Sequence, residues 1–570
     1  MDRGQIHYEL FVRRQPGSGW VLDLASEDRA RILETAEELL ANGVVAAVRV
    51  TKEVLDPETR EFRSVTILNK GAPERGKARK ALEQRDPLCV SPQDLYTIHA
   101  RERIGRLLDG WLARHRATPY ELLHRADLAE RLDAAGVELQ HAVQKVAVPE
   151  AQARGVVVHE IIRSFQSLIE RTIQRLLKDH RRGAFPDFAR EPFAAAVARL
   201  SGEPERAYLL GGGVAAHLAG CATWAEKIDR LLDLADAAPD DPAARAVALG
   251  VIEPLLVEIV GGRAGLADLL GAELDSGDML AAITRLAGAR PVEMVISIEP
   301  SVARVMPPLP EAACRLAGWL EGPGFDNVRA ALAQRVLREL MGPRRLKPGD
   351  PEGEIAVLRG LAMALTAADG RILALDDIHA AFSARSGLLV ASDFVEALLG
   401  EHRSAREEVE LLVRLAENVT GGANKRQAAR WLAANISALK FEKELRDGPD
   451  TPPARLAMLA ELQRAVGRAG LAEEDCANLQ ARLGDLGGQI EADSRLVTLL
   501  ARAQAPVVHR LGLLLRLAVG EAAPLGPAAD RARAEALKLA RSGELREEVS
   551  RSPEAAGRVR DLLQKSGLAA

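Results

Sequence analysis

The sequence predicts a mainly α protein, built as irregular multi-helix bundles or array with a small N-terminal α+β (ββαββ) module. Three observations carry this. Hydrophobic residues make up 47% of the 570 positions but aromatics only 3%, so the cores must be built from Leu, Val, Ile and Ala, which suit closely packed helices. Alternating apolar patterns occur only in the first 70 or so residues. From about residue 91 onward, helical periodicity recurs between Gly/Pro breaks at 183–186, 239–242, 342–343 and 448–449.

The first elements are a pair of strands. Residues 7–14 alternate through Tyr8, Leu10 and Val12, and residues 20–24 through Trp20, Leu22 and Leu24, with a turn expected at Pro16-Gly17-Ser18-Gly19. A helix follows, with Ser26 as the expected N-cap and an apolar stripe of Ile32, Leu33, Ala36, Leu39 and Leu40; Asn42-Gly43 supplies its stop. Two further strands, 44–55 and 61–68, flank a turn at Asp56-Pro57-Glu58-Thr59. A four-stranded antiparallel sheet with one helix on its apolar face would bury Trp20, Leu22, Val48, Val50, Val65 and Ile67 together.

The expected division is 1–70 for this module, 71–90 for a charged Gly/Pro linker, and helical domains over 91–185, 186–345 and 346–570. One helix, from about Val157 to Lys178, sets Ile161, Phe165, Leu168 and Ile169 on one face and His159, Arg163, Gln166 and Glu170 on the other. The segment 293–300 (EMVISIEP), followed by the proline-rich VMPPLP, fits a short strand or an extended interdomain connector, and the connector is preferred. No fixed repeat period of a helical solenoid is present.

Residues 358–377 run from a helix into Ala368-Asp369-Gly370-Arg371-Ile372 and then an acidic helix start at Asp376. Asp369, Gly370, Ile372 and Asp376 weakly resemble the ADG-x-I-x-x-x-E signature of TerB-like helical units, a family associated with tellurite and stress responses, with aspartate where the family prefers glutamate. The resemblance covers about one helix-turn-helix, and a C-capped helix followed by an acid-started one explains the same residues. As an implied alternative, the chain would be a TerB-like stress-response helical protein; no residue role is carried over.

Motifs with chemistry fail at decisive positions. Gly71 to Ala78 matches G-x-x-x-x-G-K, but Ala78 lacks the hydroxyl that would hold a magnesium ion. Gly211-Gly212-Gly213 lies outside any strand-helix-strand unit, so a helix contact or tight turn is expected rather than a dinucleotide site. His159-Glu160-Ile161-Ile162-Arg163 has arginine where a zinc helix needs its second imidazole, and Leu365 and Ala367 occupy the first ligand positions of any calcium loop ending at Asp376. Cys89, Cys221, Cys314 and Cys476 form no CxxC pair. No catalytic residue, metal ligand or cofactor is therefore predicted.

The formal charge of −5 gives nucleic-acid binding no global support, although Lys70, Lys77, Arg79 and Lys80 in the linker form a candidate anion contact. The longest uncharged stretch, Ala207 to Ala225, is too rich in glycine to favour a membrane span, and the N-terminus lacks a secretory apolar core. The expectation is a cytoplasmic, non-enzymatic interaction, scaffold or regulatory protein that binds protein partners or self-associates. The alternatives are an enzyme whose site is assembled from distant residues and a nucleic-acid-associated protein using the basic linker.

Overall fold

The computed structural model describes residues 6–14, 20–42, 44–55, 62–71 and 88–565. Contacts divide the chain into two units, Met1–Cys89 and Val90–Ala570. Among the described residues there are thirty α-helices and one four-stranded sheet, as the aliphatic composition and the confined alternation predict.

In the first unit, β1 (Ile6–Arg13), β2 (Val21–Ser26), α1 (Arg29–Ala41), β3 (Ala47–Leu55) and β4 (Phe62–Gly71) form the expected ββαββ module. The sheet order is β2-β1-β3-β4 and every pairing is antiparallel, so β1 and β3 are central. Strand alternation turns Leu10, Val12, Val48 and Val50 toward Ile32 and Ala36 of α1, and these six side chains are buried together.

Two expectations for the module are corrected. Asp28, not Ser26, caps α1: its Oδ1 accepts from the N–H groups of Ala30 and Arg31, while Ser26 Oγ accepts from Asp28 N–H one step earlier. Leu22 is 50% exposed and does not join Val48 and Val50. The cause is a register shift between Leu10 and Phe11: Leu10 pairs with Leu24, but Phe11 pairs with Leu22, leaving Asp23 as the extra residue of β2. One inserted residue reverses the parity of the strand, so Leu22 and Trp20 fall on the face opposite Leu24. The turns at 16–19 and 56–59 and the linker residues 72–87 lie outside the described residues.

In the second unit the expected breaks fall at helix ends. Pro242 opens the helix Pro242–Gly261, Gly342 closes Asp326–Met341 and Gly448 closes Leu439–Asp447. The long amphipathic helix runs Val158–Arg181, with Ile161 and Leu168 buried and His159, Arg163, Gln166 and Glu170 exposed. A contiguous apolar core reaches from Tyr120 to Leu545, and a smaller one surrounds Trp111, Leu128 and Leu132.

The segment 293–300 is a correction. It is helical, as most of Arg290–Ile298, and a second helix, Pro300–Val305, follows. Val292, Val295 and Ile296 recur at the three-to-four-residue spacing that one helix face needs, and they pack on the core. Pro300 occupies the first turn of the next helix, where its missing N–H costs nothing, so it starts a helix instead of prolonging an extended chain.

Arg385, 1% exposed, shows how this unit closes its helix ends. From the helix Leu375–Leu389 its guanidinium donates to the carbonyls of Leu340, Arg344 and Glu339 at 2.8, 2.7 and 2.5 Å. Those carbonyls sit at and just beyond the C-terminus of Asp326–Met341, where intrahelical partners run out.

Candidate functional site

Of the linker cations singled out from the sequence, Lys70 is described. Its Nζ lies 2.7 Å from Glu37 Oε1 of α1, and this contact holds the Glu37 carboxyl below its usual range. Lys77, Arg79 and Lys80, like residues 72–78 of the G-x-x-x-x-G-K match, lie outside the described residues. A second basic cluster is engaged internally: Arg345 pairs with the buried Glu354 at 2.8 Å, and Lys347 with Asp275 and Asp278 at 2.8 and 2.7 Å.

The remaining motifs resolve into helix geometry. Asp369-Gly370 forms the turn between Pro351–Ala367 and Leu375–Leu389, with Gly370 at φ +70°, a left-handed conformation that favours glycine, and Asp376 in the first turn of the second helix. Among the described residues, no group of three or more His, Cys, Asp or Glu side chains is arranged to hold a metal ion.

Gly211, Gly212 and Gly213 lie inside the helix Arg206–His217. A Cβ at Gly211 would fall 2.4 Å from Tyr120 Oη and 2.9 Å from His124 Nε2, and one at Gly212 would fall 2.2 Å from Phe185 Cδ1. The triplet is therefore a bare helix surface against which an aromatic cluster packs, the helix contact expected from its sequence context. His124 stacks on Tyr120 at 4.2 Å between centroids, and Tyr96 and Tyr208 approach its ring at 5.0 and 5.6 Å. Three of the four tyrosines of the chain thus meet at one histidine. Burial pushes the His124 imidazole down to about 4 and the Tyr96 phenol up to about 12.

Next to these rings lies a buried charge network that no sequence motif indicated. The short helix Pro119–His124 opens with a capping box: Thr118 Oγ1 accepts from Glu121 N–H at 3.1 Å and Glu121 Oε2 accepts from Thr118 N–H at 3.0 Å. Glu121 is shielded from solvent, and its carboxylate also accepts from Lys227 Nζ at 2.8 and 2.7 Å and from Arg125 at 3.1 Å. Lys227, from the helix Trp224–Asp236, donates in addition to the carbonyl of Arg116, the left-handed residue that ends Asp109–His115.

A second buried carboxylate works from the other side. Glu258, in Pro242–Gly261, accepts from Arg101 Nη1 and from Tyr120 N–H, both at 2.8 Å, so it ties Ile98–Leu107 and Pro119–His124 to the long helix. Burial raises its carboxyl to about 7 against the opposing pull of Arg101 and the Tyr120 N–H. These partners are separated by 106 residues for Glu121 and Lys227 and by 157 for Arg101 and Glu258. Spacing rules reach only a few residues along a helix, so only the tertiary fold reveals the network.

The arrangement joins helices: each of its buried charges faces another member or a helix terminus. An open groove of about 880 Å³ lies elsewhere, between Val507–Ala518 and Pro553–Lys565. Val508, Leu513 and Leu562 line it together with His509, Arg516, Arg558, Glu554 and Asp561. Gly512 leaves room for Leu562, whose methyl carbons would be 3.5 and 3.7 Å from a Cβ there.

No helix among the described residues is long and apolar enough to cross a membrane. No protein-family model matches the chain, and no curated protein and no solved structure matches it either.

Proposed function

We propose that the chain is a non-enzymatic interaction or scaffold protein, and that the groove between Val507–Ala518 and Pro553–Lys565 receives an amphipathic helix of a partner protein. The observation that carries this reading is the lining of the groove. Aliphatic side chains at Val508, Leu513 and Leu562 stand beside charges of both signs at Arg516, Arg558, Glu554 and Asp561. An apolar strip flanked by mixed charge suits a helix laid into a groove, where apolar anchors give affinity and the flanking charges set register. The carboxylates of Glu121 and Glu258 support it indirectly, because they bind neighbouring helices.

A photo-cross-linking residue at Leu513, compared with one at the highly exposed Leu439, tests the reading in the native host. A defined protein adduct at Leu513, competed by unmodified chain and absent at Leu439, supports it. Identical adducts at both positions, or none at Leu513, overturn it.

A further inference from the structure

The register shift in β1–β2 brings Trp20 onto the sheet face turned away from α1. Turned away from α1 are Phe11 and Arg13 of β1, Arg49 and Thr51 of β3, and Trp20 just before β2. The guanidinium carbons of Arg13 and Arg49 lie 4.3 and 4.7 Å from the centroid of the same Trp20 ring, and Arg49 lies 5.4 Å from the Phe11 centroid. Stacking holds two like charges beside one indole, and the Arg49 guanidinium keeps an edge to donate from.

Among the described residues, one side-chain atom of Arg49 and one of Thr51 on this face lack partners. Arg49 Nε is shielded from solvent and donates to no acceptor among the described residues. Thr51, 6% exposed, has an Oγ1 in the same state. A buried donor without an acceptor costs stability, and here two of them stand two residues apart on one strand, roughly 6.6 Å along it. One oxyanion can bridge that span.

We propose that this face binds a phosphate monoester, with Arg49 and Thr51 donating to its oxygens and Arg13 adding positive charge. Paired guanidinium charge with a hydroxyl donor matches the near-dianionic charge and three terminal oxygens of a monoester better than a planar carboxylate. Glu9 and Glu53 alternate onto the same face, Glu9 within 3.3 Å of His7. Their charge opposes a polyanionic backbone running across the sheet, so a single phosphate group is favoured over a nucleic-acid strand.

Calorimetric titration of the full chain with phenyl phosphate, inorganic phosphate and a single-stranded oligothymidylate, all at one ionic strength, tests this. Saturable binding of phenyl phosphate is expected, weakened roughly tenfold or more by R49M and severalfold by T51V, and unchanged by K70M on the opposite face. Inorganic phosphate binding at the same residues, with the same variant pattern, identifies the phosphate group itself as what is recognised; phenyl phosphate binding without it assigns part of the recognition to the aromatic rings. Thermal unfolding without ligand controls for folding: R49M removes a buried orphan donor together with the stacking on Trp20 and Phe11, so the two effects offset and a cooperative transition near that of the parent is expected. Absence of monoester binding, binding indifferent to both R49M and T51V, or tighter binding of the oligonucleotide overturns the proposal.

Discussion

Lys227 Nζ and Glu121 Oε2 lie 2.7 Å apart, with the two side chains 2% and 0% exposed and a separation of 106 positions in sequence. Without Lys227 the buried Glu121 carboxylate keeps only Arg125 as a counter-charge, so K227M should destabilise the fold by about 3 kcal/mol. The double variant K227M/E121Q should recover part of that loss. Denaturant unfolding of the two single variants and the double measures the coupling, and strictly additive losses would show that the pair does not act as a unit.

Glu258 and His124 give opposite pH dependences. The Glu258 carboxyl rises from 4.5 to about 7 on folding, so its stabilising contribution is complete below about 4.5 and lost as pH rises through about 7. His124 falls from 6.5 to about 4, so its contribution is present above 6.5 and lost as pH drops through about 4. Each is worth at most about 3 kcal/mol, and they offset one another between these limits. E258Q should therefore gain in melting temperature relative to the parent as pH rises from 5 to 8. H124F should gain relative to the parent as pH falls from 6.5 to 4. Parallel melting curves across this range would refute both assignments.

Helical glycines should divide by what faces them. Gly212→Ala places a Cβ 2.2 Å from Phe185 Cδ1 and should cost about 1–3 kcal/mol, although alanine is the better helix former. Gly250→Ala, in Pro242–Gly261, meets nothing within 4 Å and should stabilise by about 0.5–1 kcal/mol. Thermal denaturation of the two variants should show shifts of opposite sign.

Arg385→Met keeps most of the side-chain bulk but leaves the carbonyls of Leu340, Arg344 and Glu339 without their shared donor. A loss of about 2–4 kcal/mol is expected, with hydrogen exchange rising first at the end of Asp326–Met341. Lysine at this position should rescue little, since a single ammonium cannot reproduce the guanidinium fork.

The ββαββ order, α1 and the long helix after Val157 were legible because each depends on periodicity within a short window. The face of Trp20 and Leu22 was not, because a single inserted residue at Asp23 reverses strand parity and leaves the local composition unchanged. The helical character of 293–300 was masked by its flanking prolines, which act as helix starters only in the register the fold selects. The groove beside Leu513 and the Glu121, Lys227 and Glu258 contacts were invisible for another reason: their members meet only after distant helices pack. For the glycine triplet the sequence leaves a helix contact or a tight turn open, and choosing between them, with Phe185 and His124 as the neighbours, required coordinates.

Arg385 is translated 41 to 46 residues after the carbonyls it caps. Until that codon is read, the carbonyls at the end of the helix Asp326–Met341 have no Arg385 guanidinium to accept from. The end of an earlier helix is thus completed only by a side chain made later, so its closure must follow synthesis of the helix Leu375–Leu389.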